Sequence, residues 1–118
     1  MIAEPATETI AYRMRIDPRH AQEYRRRHDN IWPDMASVLI AAGATDYRIF
    51  LDPETGFLFA VLTRRVDHGF DRLPGNSVVL KWWTMMADLM PTGPNGAPES
   101  WPLEEVFHLS ASKEESLS

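Results

Sequence analysis

At 118 residues the chain is sized for one domain, whose core at this length buries roughly 65% of the surface the unfolded chain exposes. A net charge of −5 argues against a nucleic-acid backbone as the main partner, because phosphate binding needs a basic face. The sequence holds no cysteine, which removes disulfides, thiolate metal sites and thiol nucleophiles and fits a reducing compartment. No apolar run approaches the ~20 residues that span a bilayer, and the amino terminus lacks the basic-then-apolar order of a secretory signal. A cytoplasmic protein with no membrane partner is expected.

Residues 1–8 and 110–118 lack periodicity and are expected to be tails around a single domain over residues 9–109. From Thr9 the period is two: Ile10, Tyr12, Met14 and Ile16 point one way, Ala11, Arg13 and Arg15 the other, which predicts a strand with one buried face. Asp17 followed by Pro18 combines a capping carboxylate with a residue whose fixed φ suits a first helical turn, so a helix starts here. That helix carries Tyr24-Arg25-Arg26-Arg27-His28. Tyr24 and His28, four residues apart, share a face with Ala21, so a phenol and an imidazole stand where Leu or Val is the default. Arg26 and Arg27 fall on the outer face and read as solvated.

Asn30 and Pro33 predict a break and a second helical segment with the stripe Met35, Val38, Leu39 and Ala42, closed at Gly43. Tyr47, Ile49 and Leu51 then alternate with polar neighbours, and Asp52 to Gly56 turns the chain into Phe57–Thr63, apolar on both faces as a central strand would be. After a weakly patterned connection, with a short helical turn expected near Asp67 to Leu73, Val79, Trp82, Trp83, Met86, Leu89 and Met90 follow helical spacing up to Pro91. Beyond a Pro- and Gly-rich loop, Leu103 to Leu109 reads as a last strand with Glu105, Phe107 and Leu109 on one face.

Strand, helix pair, strand, strand, helix, strand is the split βαβ order of an α+β, ferredoxin-like fold, with an antiparallel sheet covered by helices on one side. Its second face then needs cover. Two copies packed sheet to sheet supply it, so a homodimer is expected.

No metal-ligand spacing, phosphate loop or nucleophile elbow occurs, and His20, His28, His68 and His108 are scattered, so no metal site and no cofactor are expected. What remains is His28 with Tyr24, Tyr47 at the head of a strand, and the adjacent Trp82 and Trp83. An imidazole is the natural acid and base near neutral pH, and indole faces suit the C–H faces of sugars. The combination points to proton transfer on a monosaccharide.

Read in order, Tyr24 to His28, Ile31-Trp32-Pro33, Gly43-Ala44 with Tyr47 after it, Leu51-Asp52, Trp82-Trp83, Met90-Pro91 and Glu105-Val106-Phe107 resemble the L-rhamnose mutarotase family over about Ile10 to Leu109. The resemblance implies a small dimeric ferredoxin-like enzyme of the α/β-barrel type that interconverts the α and β anomers of L-rhamnose. It implies further that His28 is the proton donor and that Tyr24, Tyr47, Trp82 and Trp83 contact the sugar. Asp29, His108 and the residues ahead of Thr9 depart from the family pattern and leave that set intact. In the mechanism expected, protonated His28 donates to the ring oxygen and recovers its proton on closure, with the partner base unassigned. Two other functions share the inventory: a cofactorless monooxygenase of the dimeric α/β-barrel type, and a sugar-binding module without catalysis.

Overall fold

The computed structural model describes residues 5–111. Strand β1 spans Thr7–Arg15, so pairing begins inside the segment expected as an amino-terminal tail, while residues 1–4 and 112–118 lie outside the described residues. Asp17 accepts a hydrogen bond from the Arg19 backbone N–H at 2.9 Å and opens a 3-10 turn at Pro18–His20. This turn leads into α1, Ala21–Asp29. Asn30 closes α1, its Nδ2 donating to the Arg26 carbonyl at 2.8 Å, and Pro33 occupies the first turn of α2, Pro33–Ala42. Gly43 ends α2 with φ of 123°, a conformation L side chains rarely adopt.

Strands β2, Ala44–Leu51, and β3, Phe57–Arg65, form the expected hairpin. A second 3-10 turn covers Phe70–Gly75. Asn76 then caps α3, Ser77–Met86, its Oδ1 accepting from the N–H groups of Val78 and Val79 at 2.9 and 3.2 Å. The helix stops four residues short of Met90, where the periodicity had carried it. Arg27 supplies the reason: its Nη1 donates to the Met85 carbonyl at 2.9 Å, satisfying one of the acceptors a helix end leaves open, and Leu89 N–H bonds back three residues to Met86 at 3.0 Å. Leu89 and Met90 stay in the core from this turn.

The sheet order is β2-β3-β1-β4, with every neighbouring pair antiparallel, the ferredoxin-like arrangement. The last strand departs from expectation. β4 comprises only Trp101–Leu103, paired with Arg13 to Ala11 of β1, and the expected continuation to Leu109 forms no strand. Alternation encodes the side-chain pattern of one strand but not the existence of a neighbour. Here β4 leaves β1 after three residues, and Val106, Phe107 and Leu109 are 90%, 78% and 81% exposed.

All three helices contribute to one side of the sheet, where Met14, Ile16, Leu58 and Ala60 meet Tyr24, Met35, Val79, Trp82 and Met86. On the other side the Arg13 guanidinium lies 4.6 Å from the Phe57 ring centre and 4.9 Å from that of Trp101. Central β3 is thus covered on one face by its own chain and open on the other. Among the described residues no helix is long and apolar enough to cross a membrane, and no three of His, Asp and Glu come together as a metal-ligand group.

Candidate active site

Between the helices and the inner sheet face runs a cleft of about 1090 Å³, mostly apolar with a few polar groups, as small-molecule sites generally are. Its helical wall comes from α1 and α3 and its floor from β1, β2 and β3. Tyr24, His28, Tyr47, Trp82 and Trp83 all line it, so five side chains spread over 60 positions of sequence converge. Tyr24 and His28 are neighbours because one helical turn separates them. Their rings stack with centroids 4.3 Å apart.

The edge of Trp82 meets the imidazole at 5.5 Å between centroids, and Trp32 meets Trp82 at 5.1 Å, again edge-on. The break at Pro33 therefore has a packing role beyond ending α1: it puts Trp32 behind the indole that borders His28. Trp82 is largely core, only 6% exposed, whereas Trp83 is more open.

His28 Nδ1 lies 3.1 Å from the Tyr24 carbonyl. A carbonyl only accepts, so Nδ1 carries the hydrogen and Nε2 is the nitrogen left for other work. Burial lowers the His28 pKa below its ordinary 6.5, outweighing the Tyr24 carbonyl and the Asp29 carboxylate, which favour the charged ring. Burial likewise raises the Tyr24 phenol, and Tyr12 adds to it. The outward face is less solvated than the arginine run implied. Arg27 pairs with Glu23 at 2.7 Å and with Asp88 at 2.8 Å, tying α1 to the residues after α3.

Tyr12 is a site residue that the alternation assigned only to the buried face of its strand. It lines the cleft, and its hydroxyl is hydrogen-bonded to that of Tyr47. The available signal was the one that singled out Tyr24: a phenol in a row otherwise filled by Ile10, Met14 and Ile16.

A family model described as L-rhamnose mutarotase matches residues 9–109. The chain belongs to the L-rhamnose mutarotase family. A member from Burkholderia orbicola (strain MC0-3) is 56% identical over 102 residues, 86% of this chain and 98% of its own. Another from Acidiphilium cryptum (strain JF-5) is 53% identical over the same coverage. The crystal structure of an L-rhamnose mutarotase from Formosa agariphila is 40% identical and superposes with a TM-score of 0.80 over 87% of this chain and 99% of that one. A Mycobacterium tuberculosis protein with a TM-score of 0.55 at 16% identity, covering 89% of this chain and 100% of its own, shares the fold alone. The mutarotase activity of this family is of the isomerase type.

Proposed function

We propose that the cleft interconverts the α and β anomers of L-rhamnose by ring opening and closure, with His28 moving the proton and Tyr24, Tyr47, Trp82 and Trp83 holding the sugar. The observation carrying this reading is the imidazole tethered through Nδ1 to the Tyr24 carbonyl, stacked on one aromatic ring and edged by another. Nε2 is then the free nitrogen. Its depressed pKa makes the neutral ring the resting form at neutral pH, and neutral Nε2 is a base.

Nε2 takes the proton of the anomeric hydroxyl as the electron pair left on that oxygen forms the C1=O bond. The C1–O5 bond breaks and the ring oxygen receives the proton back from the imidazolium. Rotation about C1–C2 and the reverse sequence on the other face of C1 give the second anomer. The proton His28 donates is thus the one it has just accepted, which supplies the partner base. Trp83 and the edge of Trp82 suit the apolar face and methyl group of a 6-deoxy sugar.

Anomer exchange of L-rhamnose followed by NMR tests this reading. Replacement His28→Phe is expected to lower the catalysed rate by about 10² to 10⁴-fold, the usual contribution of a positioned acid-base group. An unchanged rate would remove His28 from the mechanism.

A homodimer belongs to the same reading. Its support is the open sheet face, where Arg13 Nε is buried without a hydrogen-bond partner among the described residues, near Phe57 and Trp101, together with the exposed apolar side chains after Leu103. A second copy would cover both. A cytoplasmic location is also inferred, supported by the cysteine-free sequence. Activity recovered in a secreted or membrane fraction would count against it.

A further inference from the structure

Tyr12 and Tyr47 sit on β1 and β2, with β3 between them. Two strand spacings, about 10 Å laterally, and a two-residue offset in register separate their backbones, so their side chains meet only by leaning over the central strand. Tyr12 is in register with Ala60 of β3 and Tyr47 with Leu62, so the two meet on a diagonal; Ala60 is fully buried and flanked on the same face by the larger Leu58 and Leu62. A methyl group at Ala60, beside Tyr12, leaves the Tyr12 ring room to lean across the strand towards Tyr47.

Whichever phenol donates, the hydrogen-bond inventory has the same remainder. Each phenol has one O–H donor, and the Tyr12–Tyr47 bond uses one of the two. The second O–H, and acceptor capacity on the pair, have no partner among the described residues and lie on the wall of the cleft. Burial raises both phenols above their ordinary pKa of 10.0, most strongly Tyr47, so the pair is neutral at physiological pH and works as a donor and an acceptor, not as a phenolate base. Tyr24 lines the same cleft, and its hydroxyl has no bond to another described residue.

We infer that Tyr12 is a positioning and specificity-determining residue, which fixes the Tyr47 hydroxyl so that the pair reads two neighbouring hydroxyls of the sugar away from its anomeric carbon. A vicinal diol presents a donor and an acceptor side by side, the complement of two bonded phenols with one spare proton. A single buried hydroxyl would hold one sugar oxygen and could rotate. The pair holds two and cannot rotate without breaking its own bond. This inference rests on the mutarotase reading of the cleft and assigns Tyr12 no part in proton transfer.

The test uses the full chain carrying Tyr12→Phe, Tyr47→Phe or both. Anomer-exchange KM and kcat are measured beside calorimetric binding of L-rhamnose and of its analogues lacking one ring hydroxyl other than the anomeric one. Tyr12→Phe is expected to raise KM and Kd about fivefold to tenfold and leave kcat within about twofold. It should also abolish the preference of the wild type for L-rhamnose over the analogue lacking a diol hydroxyl, because a missing partner then leaves nothing unpaired. The double variant should lose no more than the worse single one, as members of one unit do.

Additive losses, unchanged discrimination, or a fall in melting temperature and kcat with KM and discrimination intact would overturn the assignment. If Tyr12→Phe failed to fold, Tyr47→Phe would decide by the same discrimination measurement, since both phenols make the one unit. A wild-type protein without acceleration over buffer would sink the mutarotase reading itself. An active wild type with an indifferent Tyr12→Phe sinks only the role of Tyr12.

Discussion

His28 combines two properties that pull in opposite directions. Its Nδ1 bond to the Tyr24 carbonyl and the nearby Asp29 favour a charged ring, and burial disfavours it more strongly, so the folded pKa lies below 6.5. The proposed mechanism starts from the neutral ring, so the rate should be flat above that lowered pKa and fall as the pH drops through it, with an apparent pKa below 6.5 for kcat/KM. A rate that rises with acidity would show that the protonated ring starts the reaction. Stability follows the same sign: between the folded and unfolded pKa the unfolded chain binds more protons, so the contribution of His28 is complete above about pH 6.5 and declines as pH falls. At this scale the sequence was informative about residues that break a pattern and silent about those that satisfy it. Tyr24 and His28 stood out because they interrupt a helical apolar stripe. Tyr12 did not, because tyrosine is an ordinary strand residue and its bond to Tyr47 joins positions 35 apart.

Among the elements, strands and turns were legible in order because period-two alternation and turn chemistry are local properties. The hairpin shows how tightly that chemistry is held. Gly56 has φ of 83°, and a Cβ there would lie 2.1 Å from the Ile16 carbonyl oxygen, while its own carbonyl accepts from Ile16 N–H at 2.8 Å. Backbone meets backbone, with no flexible side chain to give way. Gly56→Ala is therefore expected to destabilise the fold by on the order of 3 kcal/mol, measured as a lower urea midpoint; a midpoint within error of the wild type would contradict the clash. The ends of α3 and β4 were less legible, each for its own reason. Buried residues at i+3 and i+4 occur in a 3-10 turn as well as in a helix, so Leu89 and Met90 extended the pattern past the place where Arg27 takes up the Met85 carbonyl. The alternation after Leu103 was real, but among the described residues no strand pairs with it.

For the whole molecule the one-sided sheet matters most. Phe57, Phe59 and Val61 alternate with the buried Leu58, Ala60 and Leu62, so β3 is apolar towards a face its own chain leaves uncovered. The proposed homodimer predicts a solution mass near twice 13.5 kDa by sedimentation equilibrium. Replacement Val61→Lys, at the middle of that face and away from the cleft, should shift the protein to a monomer without unfolding it. A wild type of single-chain mass, or a variant with unaltered mass, would refute sheet-to-sheet pairing. The ferredoxin-like order was readable from the succession of elements, and the family from ordered short motifs, since both are linear properties. The grouping of the five cleft residues came through the family resemblance, not from periodicity, because their contact depends on how α3 lies against the sheet.

The tether of His28 has one more consequence. Its anchor is the main-chain oxygen one turn back in the same helix, an atom every residue possesses and no substitution deletes. The aim of the imidazole is inherited from helical pitch, not lent by a neighbouring side chain. If the proposed roles hold, cleft walls built by Trp83, Tyr47 or Tyr12 can drift towards other sugars while the imidazole keeps its bearing. In such a scaffold, what is recognised and what is done to it are free to evolve at separate rates.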